Sequence, residues 1–114
     1  MIFTVDRRSW YRGKGSSRSF LLDENGDRCC IGFVGQQCGV PDELLRGRYA
    51  VHSIGINAQF GIQDRGSWPE WIRKTYDLMG AYEINDDERL TDQEREEKLK
   101  DIFARNGDQI VFVN

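Results

Sequence analysis

Arg28-Cys29-Cys30-Ile31-Gly32-Phe33-Val34-Gly35-Gln36-Gln37-Cys38-Gly39 decides how the rest of the chain is read. At helical spacing Cys30, Val34 and Cys38 share one face, with Ile31 and Phe33 flanking it. Gly39 supplies a residue able to take positive φ past the last turn, and Pro41 stands where a helix cannot continue. The stretch therefore reads as a short buried helix. Gly32 and Gly35 each weaken it by about 1 kcal/mol against alanine, which implies that other elements come close to the helix at these two points.

Upstream, Ile2-Phe3-Thr4-Val5 is a β-prone run, and Asp6 can cap a turn carrying Arg7, Arg8 and Trp10. Gly13 to Ser17 reads as a polar loop, Ser19 to Leu22 as a second strand, and Asp23 to Asp27 as a turn sharpened by Asn25-Gly26. Downstream, Pro41 to Gly47 reads as one short helix with acids in its first turn. Tyr49 to Ile54 and Phe60 to Ile62 are β-like. Trp68 to Met79 reads as a helix packing through Trp68, Ile72, Thr75 and Met79 and stopped by Gly80. Thr91-Asp92-Gln93-Glu94 is a capping box opening a long helix, solvated in its first half and docked through Leu99, Ile102 and Phe103. Gln109 to Val113 is a last β-run, whose natural partner is the run at the N-terminus.

These elements add up to an α+β fold. The expectation is a single compact domain over residues 1–114, with a small, mainly antiparallel sheet pairing the N- and C-terminal strands. Three to four helices pack against it, including the central Cys-containing helix. A composition of 39% hydrophobic and 31% charged residues suits a globular chain. No apolar run reaches the roughly eighteen residues of a bilayer span, and the N-terminal residues lack a signal-peptide pattern. A cytoplasmic protein is expected, with no membrane partner.

The net charge of -3 conceals an asymmetry. Arg7 to Arg18 holds five basic residues and no acidic one, whereas Glu83 to Glu97 holds eight acidic and two basic residues. The overall sign argues against bulk DNA binding, but the basic stretch can hold a phosphate locally. Arg7, Arg8, Arg12, Lys14 and Arg18 offer cations there, glycines leave backbone N–H groups to converge on an anion, and Trp10 or Tyr11 can stack on a base. The stretch is not a Walker loop, because Lys14 is followed by Gly15 instead of Ser or Thr. It is the candidate ligand site, for a small anionic nucleotide.

Cys29, Cys30 and Cys38 do not suit disulfides: adjacent cysteines bridge only through a strained ring, and Cys30 and Cys38 lie roughly 12 Å apart along a helix. Zinc is disfavoured as well, since no C-x-x-C is present and neighbouring helical cysteines point about 100° apart. Cys29 or Cys30 at a helix start, with His52 as base, is the alternative catalytic constellation, that of a papain-like cysteine hydrolase. Buried thiols filling a tight core are the competing account. Ile84 to Glu88 lacks calcium-loop spacing and reads as turn and cap chemistry. The aromatic residues Trp68, Trp71, Tyr76 and Tyr82 read as core or as a recognition patch. No cofactor motif is present.

Trp10-Tyr11-Arg12-Gly13, Leu21-Leu22, Gly26, Cys29-Cys30-Ile31-Gly32-Phe33, Cys38-Gly39, Ile84-Asn85-Asp86-Asp87 and the Arg95 to Leu99 helix resemble an uncharacterised family. Its members are small phage and bacterial proteins with a Gly-x-x-Cys-Cys-Leu-Gly core, here with Ile31 in place of leucine. The resemblance carries no catalytic residue. It implies a phage-type binding protein, an antagonist of host antiviral defence that blocks a host protein complex or sequesters a signalling nucleotide in the host cytoplasm.

Overall fold

The computed structural model describes residues 1–15, 19–49, 51, 68–73 and 75–114. The central stretch forms α1 (Cys30–Gln37), with Cys29 at the N-cap and Gly39 at φ +86° just beyond the helix. Both glycines inside α1 sit at close approaches. A Cβ on Gly32 would stand 1.9 Å from the Leu21 carbonyl oxygen, and one on Gly35 would stand 2.5 Å from the Trp68 ring. Neither position has room for a side chain, so the helix-propensity cost is accepted for packing.

Strand β1 (Ile2–Asp6) pairs with β2 (Gln109–Val113), so the two ends of the chain share one sheet. The pairing is parallel, from Ile2↔Gln109 to Asp6↔Val113, which corrects the expected antiparallel sheet. Alternation along the strands cannot distinguish the two directions, because either one puts Phe3, Val5 and Ile110 on the buried face. Direction follows from the route of the chain. Nearly the whole domain lies between the strands, so no hairpin turn imposes antiparallel pairing, and the last helix runs back along the sheet before β2 begins. The free edge of β1 is closed by a side chain: Gln37, at the end of α1, accepts from the Thr4 N–H at 2.8 Å and donates to the Thr4 carbonyl at 2.7 Å.

Between β1 and α1 in the chain, the expected strand at Ser19 to Leu22 is instead an irregular, largely buried segment. It is held by Leu21 N–H to Arg48 O (2.7 Å), Gly47 N–H to Leu22 O (2.9 Å) and one isolated bridge, Leu22 with Arg46. Helix α2 (Asp42–Leu45) follows α1 and buries Leu44 and Leu45. The β-like runs expected between Tyr49 and Ile62 fall almost entirely outside the described residues.

The expected Trp68 to Met79 helix is two elements: a 3-10 turn over Glu70–Arg73 and then α3 (Thr75–Asp86). Gly80 does not stop α3 but lies within it. Of the expected packing side, Trp68 and Ile72 are buried, but the α3 part is rotated, for α3 buries Leu78, Ala81 and Asn85 while Met79 is 46% exposed. Helix α4 (Asp92–Arg105) begins with the full capping box, Glu94 N–H to Thr91 Oγ1 at 3.1 Å and Thr91 N–H to Glu94 Oε1 at 3.0 Å. Its first half is not simply solvated, because Arg95 and Glu96 are buried there. Leu99, Ile102 and Phe103 dock it, with Phe103 meeting Phe3 and Trp71 edge-on. Among the described residues no helix is long and apolar enough to cross a membrane.

Candidate functional site

The N-terminus of α1, where Cys29 and Cys30 lie, is organised by a residue from α3. Cys29 makes no side-chain cap. Instead Asn85, fully buried, accepts the Cys30 N–H at 2.9 Å and the Trp10 indole N–H at 2.8 Å on one amide oxygen. Its amide nitrogen donates to the Tyr11 carbonyl (3.0 Å) and to Asp86 Oδ1 (2.9 Å). Ser19, also buried, donates its hydroxyl to the same Asp86 carboxylate. One asparagine thus caps a helix, fixes a tryptophan and holds the loop backbone. Ile84 to Asp86, expected as turn chemistry, is the last turn of α3 and the polar centre of the domain. The motif resemblance already contained the Asn-Asp pair, but nothing local to it reveals a role at α1.

Cys29 and Cys30 are both buried. Desolvation pushes the Cys29 thiol up to about 12 and Cys30 well above the usual thiol range. The helix N-terminus, which would lower a thiol pKa, already has its Cys30 N–H engaged by Asn85. A nucleophilic thiolate requires the opposite shift, so the cysteine-hydrolase constellation finds no support in the thiols. His52, its base, lies outside the described residues. Tyr82 is raised for the same reason, burial, and its oxygen accepts the Val51 N–H at 3.0 Å. Among the described residues no group of three or more His, Cys, Asp and Glu side chains is placed to hold a metal ion.

The basic stretch is brought against α4 and the end of α3, and most of its described groups already have partners within the fold. Arg7 makes a bidentate pair with Glu96 at 2.8 and 2.7 Å. Arg12 pairs with Asp92 at 3.0 Å and lies over the Trp10 ring, 4.6 Å from its centroid. Arg8 turns back onto Asp6 at 2.9 Å and, by that hydrogen bond, pulls its carboxyl down to about 2. Trp10 is buried, and Tyr11 spends both backbone groups, its N–H on Arg28 O and its carbonyl on Asn85. The glycine N–H groups are also spent: Gly13 donates to Asn85 O at 2.8 Å and Gly15 to Asp86 O at 2.7 Å. This loop is the C-terminal cap of α3. Lys14 faces the Tyr11 ring at 5.9 Å, and Arg18 lies outside the described residues.

Arg95 completes the same cap. It donates to the carbonyls of Ile84, Asp87 and Leu90 and pairs with Asp92 at 2.7 Å, placing a buried cation at the negative end of α3. Two cations of the basic stretch, Arg7 and Arg12, therefore have their partners among the acids of α4, Glu96 and Asp92.

One exposed apolar patch lies on the other side of α3. Tyr76 is 87% exposed and Met79 follows it on the same face, above a groove between α3 and α4. Periodicity could have found this pair, since positions three apart on a helix share a face. Family models, curated proteins and solved structures return no match to this chain. Fold and site together define a compact α+β fold with a buried polar centre around Asn85.

Proposed function

We infer that the chain is a small binding protein that works by covering the surface of a protein partner. The class implied by the motif resemblance is a phage-type antagonist acting on a host antiviral defence complex in the host cytoplasm. The observation that carries the protein-binding mode is a contrast in what is spent and what is free. Arg7, Arg8 and Arg12 and the N–H groups of Gly13 and Gly15 already have partners within the fold, while Tyr76 and Met79 stand in water on a helix surface. An exposed tyrosine and methionine beside a groove are the residue types that interfaces enrich. Sequestration of a nucleotide would instead need the cations that the fold consumes.

The test is capture of the tagged full chain from host cells, followed by reconstitution of the complex from purified components. The expected outcome is a defined complex with a dissociation constant below about 1 μM, the range of a specific interface. Calorimetric titration with cyclic dinucleotides and ADP-ribose-type nucleotides is expected to give no heat. Heat that disappears in an Arg12→Ala, Lys14→Ala variant would overturn the protein-binding mode in favour of the nucleotide. Turnover of an amide or thioester substrate that is lost in Cys30→Ala would overturn the binding reading altogether.

A further inference from the structure

Helices α3 and α4 lie side by side, tied at one end by Arg105 and Asn106 to Asp77 (2.6 and 2.8 Å) and at the other by Arg95 to the Ile84 carbonyl. Between them runs an open groove of about 1070 Å³. Its floor is low because Gly80 has no side chain: a Cβ there would meet only Ile102, at 3.6 Å. Met79, at 46% exposure, forms an apolar shoulder beside this floor, and Tyr76 stands at one end.

Some of the charges around the groove are spent and some are free. Arg105 is held by Asp77, and Arg89 is held by Asp87 at 3.0 Å. Glu83, one turn along α3 from Met79 and Gly80, and Asp101, beside Ile102 on α4, are exposed and make no ion pair among the described residues. The apolar floor is thus flanked by an exposed carboxylate on each helix: Glu83, with no ion pair among the described residues, and Asp101, whose charge acts on Arg105 one turn along α4. Lys98 also lines the groove, and its charge acts on Glu94, one turn earlier on α4.

An apolar floor between two carboxylates, with a tyrosine ring at its end, is complementary to one kind of side chain: a long aliphatic stem ending in a cation. We propose that this groove binds a basic, amphipathic segment of the protein partner, seating an arginine or lysine with its stem on Met79 and Ile102 and its head between Glu83 and Asp101. This rests on the protein-binding reading and names the surface and the chemistry it uses. Helix-in-groove docking supplies the geometry, since two parallel ridges with a low floor accept a third helix.

The probes are a Leu/Lys amphipathic peptide of about four helical turns and a Leu/Glu peptide of the same pattern. Each is titrated into the ¹⁵N-labelled full chain. The Leu/Lys peptide is expected to shift amide signals in 76–84 and 98–105, with binding weakened by added salt, and the Leu/Glu peptide is expected not to bind. Binding should fall at least about tenfold in Glu83→Lys, Asp101→Lys, the loss expected when two contacts turn repulsive. It should fall again in Tyr76→Ala, Met79→Ala and rise in Lys98→Gln. Tyr76, Glu83 and Asp101 are exposed, so an unchanged melting temperature will confirm that these variants stay folded. Undiminished binding to the double-lysine variant, shifts confined to other faces, or no binding at all would each overturn the groove. Such a failure leaves a reconstituted partner complex intact, whereas failure of the binding reading leaves no complex to reconstitute.

Discussion

The two faces of α3 follow opposite rules. The inner face buries Leu78, Ala81 and Asn85, while the outer face holds Tyr76, Met79 and Glu83 in water. A ranking by hydropathy would place the methionine and tyrosine inside and the asparagine outside. The reverse holds because Asn85 answers three groups at once: the first helical N–H of α1, the indole N–H of Trp10 and the Tyr11 carbonyl. Leaving those groups buried without partners would cost more than exposing a methionine. Polar satisfaction at Asn85 acts with the burial of Leu78 and Ala81 to set the rotation of this helix.

The comparison breaks most completely at its polar centre. Asn85→Ala orphans two buried donors, the Cys30 N–H and the Trp10 indole N–H, at about 1 to 3 kcal/mol each, so a loss of roughly 2 to 6 kcal/mol is expected. Urea denaturation would measure it, and a loss below about 1 kcal/mol would show that water substitutes for the amide. Next is the backbone contact behind it. Gly32→Ala drives a Cβ into the Leu21 carbonyl, an obstacle that cannot rotate away. A cost of about 1 to 3 kcal/mol or more is expected, and an unchanged melting temperature would place Leu21 elsewhere.

The buried thiols supply a pH test. Cys29 and Cys30 have folded pKa values above the ordinary 9.0, so both stay protonated in the fold while the unfolded chain ionises. Their contribution is complete below pH 9 and declines above it, by at most about 1.4 kcal/mol per thiol and pH unit until the folded value is reached. Tyr82, raised above 10.0, adds in the same direction. Stability should therefore fall steadily above pH 9. A thiol reagent at neutral pH should label Cys38 first and reach Cys29 and Cys30 only through unfolding, as Cys38 is the one of the three that is not fully buried. Rapid labelling of Cys30 in the folded chain would refute the assignment of these thiols to the core.

The smallest effect sharpens the outer face. Gly80→Ala meets Ile102 at an ordinary contact distance and removes a helix-interior glycine, so a gain of up to about 1 kcal/mol is expected. The same change raises the floor of the groove and should weaken the Leu/Lys peptide. A variant more stable yet poorer in binding would separate the two faces experimentally, and one that lost stability would show that α3 and α4 pack too closely for a methyl group.

The amino-acid sequence alone determined what is settled within about one helical turn. The helix from Cys30, the Thr91/Glu94 capping box and the turn at Asn25-Gly26 all fall in this class, while Gly32 and Gly35 marked close approaches whose partners, Leu21 and Trp68, only the fold supplied. Complementary apolar runs at the two ends also pointed to each other, but alternation of side chains carries no sign for strand direction, and the tertiary route made the pair parallel. The basic stretch looked like an anion site because its partners are far away in sequence. Arg7 meets Glu96 89 residues on, Trp10 meets Asn85 75 residues on, and Cys30 reaches back from the same asparagine across 55. Charge patterning registers that such groups exist and local chemistry says what each can bond. Which carboxylate or amide comes within 3 Å is decided only when the core closes and desolvation makes every unpaired polar group costly.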